Sequence, residues 1–203
     1  MRPGPTRGVE RRGALLEALE DHLRESSLGE INVADISRSA GVTRSAFYFY
    51  FENKAAAVAA LHEEMYADGF DAAEVLAGDG TVRDRISTAI RAIVHGWGQR
   101  THLHRAVLDA RAASPAVRDQ WDAFQRSYVD VVADLVEAER AAGAAPAGPD
   151  ARALATALLD LNDRTLERVV RAEDGADLEQ QLDAVVHVWL SSIYGTTAHG
   201  RTA

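Results

Sequence analysis

The sequence predicts an all-α protein: a three-helix N-terminal head followed by a larger helical body. Three observations predict it. Alanine is abundant across the 203 residues, and the apolar–polar alternation of strands is nearly absent. Apolar residues recur at three- and four-residue spacing over long runs. Residues 31–54, INVADISRSAGVTRSAFYFYFENK, read as two short helices joined by a tight turn. The length suits one large or two modest domains with a substantial core.

Taken in order, a first helix is expected from about Glu10 to Ser26, with Leu15, Leu16, Leu19 and Leu23 on one face. Leu28 and Ile31 bridge to a second helix, Val33 to Ala40, which turns Ile36 and Ala40 to one side. Gly41 sits where a helix end needs a left-handed residue. Val42 plugs the turn, and Thr43 caps the third helix, Arg44 to Phe49. Phe47 and Phe51, four apart, point inward. Helix, glycine turn and second short helix make a helix-turn-helix, whose second helix lies in the DNA major groove.

Asn53 caps a long fourth helix, which Lys54 opens and which runs past Leu61, Met65 and Phe70 to about Ala77. Gly78-Asp79-Gly80 breaks it. Thr81 caps the fifth, which carries Ile86, Ile90, Ile93, Val94 and Trp97 and is ended by Gly96 and Gly98. A short sixth helix holds Leu103, Ala106, Val107 and Ala110. Ser114 then caps and Pro115 starts a long seventh, to about Ala142. After the loop at 143–150, Asp150 caps the eighth, with Leu154, Leu158, Leu161 and Leu166, broken at Asp174-Gly175. A ninth carries Leu178, Leu182, Val185, Val186, Trp189, Leu190 and Ile193, and the tail from Gly195 frays. That makes about nine helices and no internal repeat.

Net charge is −9, which at first argues against nucleic acid. Its distribution answers the objection: residues 1–54 balance to zero, so the body from 55 to 203 carries all of it. In a basic arm at 1–12, Arg2, Arg7, Arg11 and Arg12 face only Glu10. Such an arm reaches phosphates or a minor groove, or else is a solubilising tail. There is no Cys, hence no disulfide and no thiolate chemistry. No apolar run is long enough to span a membrane, and the N-terminus lacks a signal peptide's apolar stretch, so a cytoplasmic protein is expected.

Cations and aromatic hydroxyls beside apolar anchors suit phosphate oxygens. Thr43, Arg44, Ser45, Tyr48, Tyr50 and Lys54 are the DNA-contact candidates, with Arg44 on a base edge and Tyr48, Tyr50 and Lys54 on phosphates. The segment AGVTRSAFYFYFENKAAAVAAL at 40–61 resembles the signature of TetR-family transcriptional repressors. Further on, VEAERAAGAAP at 136–146, ALATALLDLNDRT at 153–165 and HVWLSSIYG at 187–195 resemble the ethionamide-regulator branch of that family. The resemblance implies a head at 1–54, a ligand-binding and dimerisation body at 55–203, and an apolar, aromatic-lined tunnel between the body helices. By local match Ile86, Ala89, Ile90, Ile93, Trp97, Trp121, Gln125, Tyr128, Leu159, Asn162 and Trp189 would line it. That branch can carry Asn near Leu159 and an aromatic ring near Ile93; both positions are aliphatic here, so ligand identity does not carry over. No cofactor or metal is expected.

The partners expected are operator DNA, a small hydrophobic ligand and a second copy of the chain. Leu158, Leu166, Val169 and Val170 of the eighth helix and Val185, Val186, Leu190 and Ile193 of the ninth would meet their copies across a two-fold axis. Without the resemblance, the rings read as core. The competing classes are a helical adaptor without DNA affinity and a helical enzyme. His102 and His104 fall on different faces of a helix, and His95, His102 and Asp109 lie seven apart without a metal motif. Asp160 and Asp163 read as a solvated edge and a polar contact rather than a catalytic pair.

Overall fold

The computed structural model describes residues 7–67, 72–171 and 178–195. Among them are ten helices and no strand: α1 (Arg7–Glu25), α2 (Val33–Ser39), α3 (Arg44–Tyr50), α4 (Lys54–Ala67), α5 (Ala72–Ala77), α6 (Val82–Gln99), α7 (Thr101–Ala113), α8 (Pro115–Ala141), α9 (Ala151–Arg171) and α10 (Leu178–Tyr194). The starts follow the expected caps. Thr81 Oγ1 accepts from Asp84 N at 3.2 Å, and Asp150 Oδ1 accepts from Ala153 N at 2.9 Å. Asn53 Oδ1 accepts from Ala56 N at 2.9 Å, and Ser114 Oγ accepts from Val117 N at 3.4 Å. Each satisfies a backbone donor that the first helical turn leaves without an intrahelical partner.

The described residues form two compact units. One holds those before Phe70 together with Arg100–Trp121; the other holds Phe70–Gln99 and the chain from Asp122 on. Compactness therefore does not divide the chain at 54. In the first unit α1 packs against α2, α4 and α7, and α4 lies along α7. Its core is Leu15, Leu16, Leu19, Ile36, Phe47, Val58 and Leu103. Burying each such side chain contributes roughly 1.5–3 kcal/mol. Arg12 bridges α1 to α4 through Glu64, and its guanidinium sits 5.6 Å from the centre of the Phe51 ring.

In the second unit α6 packs on α5, α9 and α10, and α9 packs on α10. Ile86, Val94, Trp97, Leu158, Leu182 and Ile193 are buried there. Arg91 ties α6 to α10 through Glu179, at 2.9 Å, and Asp183. Tyr194 donates to Glu139 at 2.7 Å, while the Arg83 guanidinium lies 4.1 Å from the centre of the Tyr194 ring. Burial, and then the Glu139 hydrogen bond, push the Tyr194 hydroxyl's pKa up.

Several boundaries differ from the sequence reading. α1 begins at Arg7, so Arg7, Arg11 and Arg12 of the expected arm are helical, and Arg2 lies outside the described residues. The single helix expected from Asn53 to Ala77 is described as α4 and α5; Phe70 and the Met65 side chain lie outside the description. α6 runs through Gly96 and Gly98 to Gln99. Each glycine costs the helix about 1 kcal/mol, which burial of Val94 and Trp97 on its apolar face offsets. The break at Asp174-Gly175 and the tail beyond Gly195 lie outside the described residues.

Of the residues expected at the dimer seam, Leu158, Leu166, Val170, Val185, Val186 and Ile193 are buried within the chain's own fold, and Val169 and Leu190 are half-buried. Apolar spacing cannot tell a core face from an interface face. The exposed positions of α9 and α10 include Ala153, Ala157, Ala184 and Val188, set among charged residues such as Arg152, Asp160, Arg164 and Asp183.

Candidate nucleic-acid interface

The turn before α3 is built by local chemistry. Gly41 adopts φ +66°, a left-handed conformation that strains any side chain. Val42 N then reaches back to Ser37 O at 2.9 Å, closing the end of α2. Val42 is half-buried, as a residue in the crook of the turn should be. Thr43 caps α3 by accepting from Ala46 N at 3.2 Å, and its hydroxyl also meets Ser45 Oγ at 2.9 Å.

Helical geometry then sets which side chains face out. Phe47 is fully buried, and Phe51 packs beside it with ring centres 5.5 Å apart. At about 100° per residue, Ser45 and Phe49 project roughly opposite Phe47. Arg44 and Tyr48 flank that outer line on one side, with Tyr50 on the other. Arg44 donates to Tyr48 Oη at 3.3 Å and lies 5.6 Å from the centre of its ring, so the two move as a pair. Tyr48 is 47% exposed. Tyr50 is half-buried, and its hydroxyl comes close to Gly8 in the first turn of α1. Thr43, Arg44, Ser45 and Tyr48 are thus exposed together at the start of α3 and along one flank of it, whereas Tyr50 lies half-buried on the other flank.

Lys54 is placed differently. Its ammonium donates to the carbonyls of Leu28, at 2.6 Å, Gly29, at 3.4 Å, and Ile31. Three donors thus meet three carbonyls of the corner between α1 and α2. A cleft of about 880 Å³ opens beside it, lined by that corner, by Glu52 and Asn53, and by the end of α7 with the start of α8. Phe49 is the residue the motif reading passed over. It is 82% exposed. The signal was available: it lies two residues from each of two buried rings, and so on the opposite side of the helix.

The proposed ligand-lining residues divide. Ile86, Ala89, Ile90, Trp97 and Trp189 are buried, and Ile93, Gln125, Tyr128, Leu159 and Asn162 are half-buried; all lie in the second unit. Trp189 Nε1 donates to Asn162 Oδ1 at 2.9 Å, joining α10 to α9. Tyr128 pairs edge-on with Phe124 at 5.0 Å. Trp121 belongs to the first unit, where its ring lies 5.6 Å from His62 and under the Arg111 guanidinium. His62 also meets His104 edge-on at 5.9 Å. Burial lowers their pKa values to about 4 for His62 and about 3 for His104, so both imidazoles are neutral. His102 approaches Glu20 at 3.4 Å, and His95 approaches Glu179 at 3.4 Å. Among the described residues, no three His or carboxylate groups are placed to hold a metal, and no helix is long and apolar enough to cross a membrane.

Residues 15–61 match the bacterial regulatory proteins of the tetR family, and residues 86–195 match the C-terminal domain of the transcriptional regulator EthR. Over 192 residues the chain is 35% identical to the HTH-type transcriptional regulator EthR of Mycobacterium tuberculosis, covering 93% of this chain and 89% of that protein. The chain belongs to the TetR family. It is a DNA-binding transcriptional regulator with an EthR-type C-terminal domain, which decides against the adaptor and enzyme readings. EthR of Mycolicibacterium smegmatis is 33% identical over 198 residues, 95% of this chain and 90% of that protein. In fold the chain resembles Thermus thermophilus FadR, a TetR-family repressor solved with lauroyl-CoA: TM-score 0.69, 19% identity, 95% of this chain and 98% of that one.

Proposed function

We propose that the protein is a homodimeric repressor that binds a palindromic operator through α3 and is released by a small hydrophobic ligand held in the body. The observation that carries this reading is the two-sided recognition helix: buried Phe47 and Phe51 on one side, Ser45, Arg44, Tyr48 and Phe49 displayed on the other. Arg44 is assigned a guanine edge, with Ser45 and Thr43 close by; Tyr48 and Tyr50 are assigned phosphates. Lys54 is assigned a clamping role: its hydrogen bonds fix the start of α4 to the corner between α1 and α2. Residues 1–54 are the DNA-binding part, and 55–203 serve the ligand and the dimer.

The half-buried Asn162 and Tyr128 and the buried Ile86, Ile90, Trp97 and Trp189 all belong to the second unit, and together they would give a small-molecule site an apolar lining with a few polar groups. A ligand shifts such a protein only by binding the DNA-incompetent arrangement more tightly. Operator half-sites lie one helical turn or a multiple apart, roughly 34–36 Å per turn, so a tilt of α4 that alters head spacing weakens binding. The outer faces of α9 and α10, around Ala157 and Val188, are assigned to the two-fold contact.

The test is selection of duplexes from a random pool by the full-length protein, followed by anisotropy titration of the selected site. A palindromic consensus that an apolar compound releases supports the reading. If no sequence is enriched and random DNA binds equally well, the reading fails.

A further inference from the structure

We propose that Phe49 reads the C5-methyl group of a thymine in each operator half-site. This inference rests on the DNA-binding reading of α3 and deepens it. Phe49 is 82% exposed, although a ring of that size is ordinarily covered. Its ring meets Tyr50 edge-on at 5.0 Å, and Tyr50 in turn approaches the buried Phe51 at 6.4 Å. An exposed ring set in such a row is suited to contact another surface.

The helix says which surface. Ser45 and Phe49 are four residues apart, about 6 Å along the axis, on the line that points straight away from the head's core. That line faces the major groove which a recognition helix enters. Arg44 and Tyr48, which carry the charge and a hydroxyl, stand on its flank and are bonded to each other. The central line therefore offers one hydroxyl and one apolar ring. In the major groove the one methyl group a base pair presents is that of thymine, beside hydrogen-bond donors and acceptors. A phenyl ring set against a guanine or cytosine edge would leave those groups without water or partner, so the same ring also selects against G·C at that position.

The experiment uses the full-length protein and the duplex selected above. Each thymine is replaced in turn by deoxyuridine, which keeps pairing and hydrogen-bonding groups and removes only the methyl. Loss of one buried methyl predicts about a four-fold weakening per half-site at one thymine position. Phe49→Ala should bind the thymine and deoxyuridine duplexes alike, and Phe49→Leu should keep part of the discrimination. Neither variant should lower the melting temperature, because the ring is outside the core. Equal binding of thymine and deoxyuridine duplexes by the parent at every position would overturn the proposal. So would a Phe49→Ala variant that still prefers thymine by the parental factor. A parent that enriches no duplex at all would instead overturn the DNA-binding reading, and this inference with it.

Discussion

The head and the body are both helical and both apolar inside, yet they encode their surfaces in different ways. In the head, backbone chemistry marks the elements. Gly41 at positive φ, Thr43 as cap and Phe47 and Phe51 four residues apart leave one possible outward line on α3. In the body, long apolar faces carry the information, and an apolar face serves core, ligand or partner equally well. Val186 and Val188 stand two residues apart on α10; one is buried, the other 41% exposed. Caps and turns localise a binding surface from sequence, whereas apolar periodicity localises only burial.

The largest test of that difference is the valine pair. Val186→Glu places a charge inside the second unit and should destabilise it by on the order of 4 kcal/mol, seen as a lost or early thermal transition. Val188→Glu should leave each chain folded and produce monomers in sedimentation. A stable, folded Val186→Glu monomer would show that the seam first read from the sequence was the right one.

Next in size is the phenylalanine pair of α3. Phe47→Ala should cost about 3–5 kcal/mol and unfold the head, as measured by denaturant titration. Phe49→Ala should cost nothing measurable in stability while changing DNA binding. Comparable stability losses in the two variants would erase the distinction between inner and outer lines.

A third test concerns the buried imidazoles His62 and His104. Burial is the first cause of their low pKa values, with His62, His102 and Arg100 adding to it at His104. Because the folded values lie below about 6.5, the unfolded chain takes up the protons first. Their contribution to stability is therefore full above pH about 6.5 and is lost as pH falls toward 4. His104→Leu should flatten the stability–pH slope in that window by about 1.4 kcal/mol per pH unit, measured by urea unfolding. An unchanged slope would mean that this imidazole is solvated in the folded protein.

Much of this was legible in the sequence, for physical reasons. The helix-turn-helix was readable because its signals are local: a glycine, a cap and an aromatic spacing. The helix starts at Asn53, Thr81, Ser114 and Asp150 were readable for the same reason. Helix ends were less so: Gly96 and Gly98 read as stops, but the buried face of α6 carries the helix past them. Tertiary partners were not readable. Nothing local tells Lys54 that three carbonyls more than twenty residues back lie within reach, or separates Trp121 from the other rings by compact unit.

The salt dependence of operator binding tests the proposed division of labour between Arg44 and Lys54. The parent, Arg44→Ala and Lys54→Met are titrated with the selected duplex and with random duplex across a range of salt. Arg44→Ala should lose about 1–3 kcal/mol on the operator and much less on random DNA, relaxing one base position. Lys54→Met should melt earlier and bind more weakly, yet keep the parent's slope of log affinity against log salt. If Lys54→Met instead keeps the parent's stability and flattens that slope by about one, the ammonium neutralises a phosphate in the complex, and the clamp is contradicted.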